Sequence, residues 1–168
     1  MNSTPWLSER QQHVWRRWLT ATALLPAALH RELQADAGLS LPDFDVLVHL
    51  TDSPEGRVRV TDLARALSWE KSRASHHLTR MERRGLVRRE ECGDDGRGAY
   101  VRLTEEGRTA IEQAAPGHVR AVRALVFDQL TDHEVAVLDS ALGKVLAGLT
   151  GPDTSGTRQQ LVRVGGNG

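Results

Sequence analysis

Between Ser68 and Gly85 the chain runs Ser-Trp-Glu-Lys-Ser-Arg-Ala-Ser-His-His-Leu-Thr-Arg-Met-Glu-Arg-Arg-Gly, and its cations recur at helical spacing. At 100° per residue Arg73, His76, Arg80 and Arg83 fall on one face, with Ser72 and Thr79 beside them. Ala74, Leu78, Met81 and Gly85 fall on the opposite face. Guanidinium forks, an imidazole and short hydroxyls are the groups that grip phosphates and base edges. One side of this helix suits burial and the other suits a polyanion. A cationic face standing alone is more often a solvated surface, so the flanking chain has to decide between the two.

The elements around this stretch match what a reading helix requires. Thr61 is expected to cap a compact helix from Asp62 to Leu67, with Leu63, Ala64 and Leu67 inward. A brief turn near Ser68-Trp69 then leads into the cationic helix, the order helix, short turn, helix of a helix-turn-helix. Gly85 provides the C′ stop. Leu86 to Glu91 and Ala99 to Leu103 are predicted strands, joined by Cys92-Gly93-Asp94-Asp95-Gly96-Arg97-Gly98. Asp95-Gly96 is a strong hairpin signal because both positions tolerate positive φ. The tip carries one cation, Arg97, well shaped to enter a minor groove.

Charge follows the same division. The whole 168-residue chain balances 22 Lys+Arg against 22 Asp+Glu, yet Arg57 to Arg102 holds twelve basic and seven acidic side chains, a surplus of five. A basic centre between acidic flanks suits local binding of a polyanion. The single Cys92 excludes an internal disulfide framework. The chain carries no apolar run of membrane-spanning length and no signal-peptide core, so a cytoplasmic protein with no membrane partner is expected.

Upstream, Ser8 and Gln11 fit a capping box that opens a long helix. Val14, Trp18, Leu25, Leu29 and Leu33 form its apolar stripe; a kink is expected near Pro26 and an end before Gly38. Ser40-Leu41-Pro42-Asp43 restarts a helix whose buried side is Phe44, Leu47, Val48 and Leu50. Val58 and Val60, alternating with Arg59, predict a very short strand. Downstream, Thr104 caps a helix expected to bend at Pro116, and Thr131 with Glu134 opens a last one. These outer helices carry more apolar surface than one winged module can cover, and a two-fold homodimer is the simplest way to bury it. The expected fold is therefore mainly α with a small β wing, a winged helix-turn-helix flanked by N- and C-terminal dimerisation helices. Residues 1–37 form the first of these, 38–103 the DNA-binding module, 104–150 the C-terminal pair and 151–168 a disordered tail, one globular domain overall.

With these motifs in order, the chain resembles the MarR family of winged-helix transcription regulators over roughly Leu7 to Leu149. The resemblance is carried by Leu63-Ala64-Arg65-Ala66-Leu67, by Arg80 to Val87, by Asp95-Gly96-Arg97-Gly98 and by Val101 to Arg108. The family's wing pattern, Asp-x-Arg followed by Leu-Thr-x-x-Gly, is met by Asp95, Arg97, Leu103, Thr104 and Gly107. The resemblance implies a homodimeric cytoplasmic regulator, usually a repressor, often released from DNA by a small aromatic ligand. It also implies a pair between Asp95 and Arg80 that anchors the wing to the helix. His76 departs from the Arg or other polar residue of many relatives, which leaves the target sequence open.

Arg73 and His76, near the helix N-terminus, are the expected base-edge contacts, and Arg73 can grip a guanine through two hydrogen bonds. Ser72, Ser75 and Thr79 suit phosphates, although Ser75 leans toward the buried side. Arg83 is assigned to the DNA backbone ahead of Arg84 and Arg88. His77 is expected to pack, and Trp69 to cover the small core. The seven histidines show no His-x-x-x-His spacing, and no Cys-x-x-Cys is present, so neither a metal nor a cofactor is expected. A metal sensor, a thiol sensor at Cys92 and a winged-helix protein adaptor stay as alternatives. Double-stranded DNA, a second copy and a small effector are the expected partners, with Trp15, Trp18, His49 and His118 near where an effector would sit. Catalytic residues are not expected: the chain has no glycine-rich nucleotide loop and no nucleophile elbow.

Overall fold

The computed structural model describes residues 6–91 and 99–150. Helix α1 spans Glu9–Ala37, α2 Leu41–Asp52, α3 Val60–Ala66 and α4 Lys71–Arg83, with strand β1 at Arg57–Arg59 between α2 and α3. Strands β2, Val87–Glu91, and β3, Ala99–Leu103, follow, then α5, Glu105–Leu125, a 3-10 turn at Phe127–Gln129, and α6, Asp132–Thr150. This is the expected winged helix-turn-helix between long flanking helices. The wing tip with Cys92, Asp95 and Arg97, and the segment 151–168, lie outside the described residues.

Side-chain caps set most of the helix starts. The Ser8 hydroxyl accepts from the Gln11 amide while Gln11 Oε1 accepts from the Ser8 amide. Ser40 and Asp43 repeat the arrangement on α2, and Thr131 and Glu134 on α6. Gly38 ends α1 at φ 63°, and Gly85 follows α4 at φ 74°, both in the left-handed region that favours glycine. Two expectations need correcting. Val60 opens α3 rather than closing a strand, and Arg59, not Thr61, stands at its N-cap without a side-chain bond. The strand runs straight into the helix, leaving no linker residue for a cap. Helix α1 runs unbroken through Pro26, and α5 through Pro116, where a bend rather than a break is expected.

The sheet is antiparallel in the order β1-β3-β2, with Val58 opposite Val101 and Val87 opposite Leu103. One core lies between it and the helices: Leu47, Leu50, Leu63, Leu78, Met81 and Val101 are each almost fully buried. The last turns of α1, through Leu33, and the first half of α5, through Ile111 and Ala114, close it. Gly117 of α5 lies beside Asp36 of α1, a Cβ built on it falling 2.9 Å from the movable Asp36 Oδ2.

Thr104 and Gly107 form the joint between the wing and α5. The Thr104 hydroxyl accepts from the Gly107 amide at 3.0 Å and donates to the Gly85 carbonyl at 2.6 Å. A Cβ on Gly107 would overlap the Leu86 carbonyl and lie 2.9 Å from Leu103 Cδ1. The Leu-Thr-x-x-Gly run therefore locks the end of the recognition helix to the start of α5. Gly107→Ala is expected to destabilise the fold by about 2 kcal/mol or more, because rigid backbone must move. A urea-denaturation midpoint at or above that of the wild type would contradict this packing.

Candidate nucleic-acid interface

Helix α4 has few apolar anchors. Ala74, Leu78 and Met81 are completely buried, and His77 is the fourth inward residue at 7% exposure. Ser72, Arg73, His76, Arg80 and Arg83 are exposed, while Ser75 and Thr79 are half-buried. The expected cationic face is thus present on one surface. The helix carries no side-chain cap at Glu70, so tertiary contacts must hold it in place.

The main contact is a buried carboxylate on α2. Asp43, 3% exposed, has Oδ1 3.0 Å from His77 Nε2 and Oδ2 2.7 Å from Arg84 Nη1. The Ser40 amide also donates to Oδ2, at 2.9 Å. Arg84 Nη2 donates to the Gly38 carbonyl at 2.9 Å, so the end of α1, the start of α2 and the whole of α4 meet at this carboxylate. On the other side of the imidazole, Arg80 Nη2 lies 2.9 Å from His77 Nδ1. A guanidinium can only donate, so Nδ1 accepts.

Burial alone would raise the Asp43 carboxyl. Hydrogen bonds from His77, from the Ser40 amide and hydroxyl, and from Arg84 outweigh it and hold the group well below the usual carboxylate range. Asp45, two residues on, has no such donors among the described residues, and burial pushes it up to about 6.

The wing strand packs against the same helix. The Arg89 guanidinium donates to the Ser75 carbonyl and, at 3.0 Å, to the Thr79 hydroxyl, which itself donates to the Ser75 carbonyl. Two of the three hydroxyl residues assigned to phosphates, Ser75 and Thr79, therefore sit beside Arg89, a cation that the sequence pattern did not single out. Arg84, expected to touch DNA or solvent, is instead tied to Asp43, and Arg88 pairs with Glu90 at 3.0 Å. Trp69 lies half-buried against the core, edge-on to His77, in the covering role expected of it. Within the described part of the module, Arg57, Arg65, Arg84, Arg88 and Arg102 all pair with carboxylates. Lys71, Arg73 and Arg83 on α4 have no carboxylate partner among the described residues.

Comparison with known proteins bears on this geometry. The sequence profile of the MarR family matches residues 37–98. Sco3205, a MarR family transcriptional regulator from Streptomyces coelicolor solved in complex with DNA, superposes with a TM-score of 0.84. It is 40% identical over 92% of this chain and 97% of that one. The chain belongs to the MarR family. AbsC, a MarR family regulator from the same organism, is 41% identical with a TM-score of 0.81, over 87% and 98% of the two chains. The HTH-type transcriptional repressor YetL of Bacillus subtilis is 31% identical over 116 residues, 69% of each chain.

The remaining sequence candidates are scattered. His118 packs on the Phe44 ring at 4.3 Å, and burial holds both it and His49 below the usual histidine range. Trp15 and Trp18 are exposed on α1. Among the described residues no three His, Cys, Asp or Glu side chains group as metal ligands, and no helix is long and apolar enough to cross a membrane.

Asp43 and Asp45 should shift stability with pH in opposite senses. The Asp43 contribution is full above the ordinary value of about 4 and is lost as pH falls below it, because the folded-state value is depressed. Asp43→Ala should cost about 2–4 kcal/mol at pH 7, a gap that narrows only below about pH 4. The Asp45 value is raised, so its penalty is full above about 6 and disappears on acidification toward 4. Asp45→Asn should therefore melt higher than the wild type at pH 7.5 and equally at pH 4. Melting curves at both pH values check each sign.

Proposed function

We propose that this MarR family member is a sequence-specific repressor that binds a pseudo-palindromic operator as a homodimer in the cytoplasm. The observation that carries this reading is the outward face of α4, whose Lys71, Arg73 and Arg83 lack carboxylate partners among the described residues while its inward face is clamped to Asp43. Arg73 and His76 meet base edges in the major groove, and Ser72, Ser75, Thr79 and Arg83 meet phosphates. Arg97 enters the minor groove, and Asp95 pairs with Arg80 to hold the wing. The complex of the related Sco3205 with DNA supports the choice of partner.

Dimerisation is supported by surface that one chain leaves uncovered. No residue of the 19-residue α6 is buried, although helices in proteins owe most of their stability to packing of an apolar face. Val14, Trp15 and Trp18 of α1 face Val145 and Leu149 of α6 across an open apolar groove. A second copy covering residues 1–37 and 104–150 buries that surface and spaces two α4 helices one DNA turn apart. A small effector that favours another spacing would release the operator.

A gel shift on DNA flanking the protein's own gene, against competitor DNA and at several salt concentrations, tests the reading. Binding should weaken steeply with salt. Arg73→Ala should relax sequence preference as well as affinity, and Arg97→Ala should weaken all sequences alike. Equal retention of random and flanking DNA by the wild type would refute sequence-specific regulation. In sedimentation, Val145→Glu should shift the protein toward monomer and lower operator affinity at least tenfold, about 1.4 kcal/mol. An unchanged dimer would place the interface elsewhere.

A further inference from the structure

We propose that Trp69 is a positioning residue for base recognition, its indole face presetting the Arg73 guanidinium in the pose that meets a base edge. The inference rests on the reading of Arg73 given above. The guanidinium carbon of Arg73 lies 4.9 Å from the centroid of the Trp69 ring. Arg73 is otherwise exposed and has no carboxylate partner among the described residues. An aromatic face attracts the cation without a carboxylate's lone pairs to occupy its N–H donors. Those donors stay available for acceptors on DNA.

Trp69 is itself held in place. Its amide donates to the Ala64 carbonyl at 2.8 Å, which ties it to the end of α3. Its half-buried ring packs against the core and meets His77 edge to face, with centroids 5.2 Å apart and planes at 76°. His77 is fixed in turn by Asp43 and Arg80. The indole cannot turn without disturbing a buried polar group, so it is a rigid platform just outside the helix N-terminus.

A free arginine on this face would sample many rotamers and lose that freedom on docking. Two-point recognition of guanine also demands that a planar fork lie in the plane of the base. A platform that restricts the guanidinium beforehand reduces the ordering loss and favours one approach angle. Trp69 thereby affects discrimination between bases without touching DNA.

The test is selection of bound sequences from a random DNA pool with full-length wild type, Arg73→Ala, Trp69→Leu, Trp69→Phe and the Trp69→Leu/Arg73→Ala double variant. Melting curves verify that each is folded, and Trp69→Met replaces the leucine variant if that one is not. Arg73→Ala should relax preference at one base pair of each half-site. Trp69→Leu should relax the same base pair, by roughly fivefold or more, with the other positions kept. Trp69→Phe should retain most of the preference, and the double variant should be no more relaxed than Arg73→Ala. If Trp69→Leu weakens all sequences evenly while Arg73→Ala relaxes one base pair, Trp69 is a core residue only and this inference fails alone. If Arg73→Ala leaves every preference intact, the base-reading role of Arg73 fails, and this inference fails with it.

Discussion

One buried carboxylate holds the DNA-facing half of this protein together. Asp43 closes the capping box of α2, lies 3.0 Å from the His77 imidazole of α4 and pairs with Arg84 at the end of that helix. Arg84 then reaches the carbonyl that ends α1. A charge taken out of water is costly unless donors surround it, and here they come from the start of α2 and from α4. Satisfying the carboxylate therefore requires α2 and α4 to take one arrangement, and Arg84 adds the end of α1 to it. The carboxylate specifies geometry more than it adds net stability.

The recognition helix depends on this. It buries three small or medium apolar side chains, has no side-chain cap and crowds its outer face with like charges. Those charges repel one another, and Lys71, Arg73 and Arg83 have no carboxylate partner among the described residues. The inner clamp and the Arg89 contacts from β2 hold the helix in spite of that repulsion. The outer helices present the complementary problem. Their apolar residues stay exposed on one chain because the winged module has no surface left to cover them.

Much of the architecture was legible in the sequence because its signals are local. Ser8, Ser40, Thr104 and Thr131 act within one helical turn, and the left-handed Gly38 and Gly85 terminate helices by a rule that needs no neighbours. The apolar stripes placed Leu33, Phe44, Leu63, Leu78 and Met81 inside, where they are. Local reasoning failed where a neighbouring element intervened. Thr61 looks like a cap, but β1 feeds α3 directly. Arg84 and Arg88 look like part of the cationic face, but Asp43 and Glu90 pair with them.

By itself, then, the sequence determined the helix-turn-helix order, the MarR family membership and a recognition helix with Arg73, His76, Arg80 and Arg83 on one side. Caps, periodicity and charge act over a few residues and survive in any compact fold. Only the tertiary structure decided which cations stay available. Asp43 and His77 lie far apart in the chain and meet only when α2 packs on α4, as Arg89 meets Ser75 only when the wing folds back. Availability depends on which acceptors come within about 3 Å of each donor, a long-range property that no window of sequence contains.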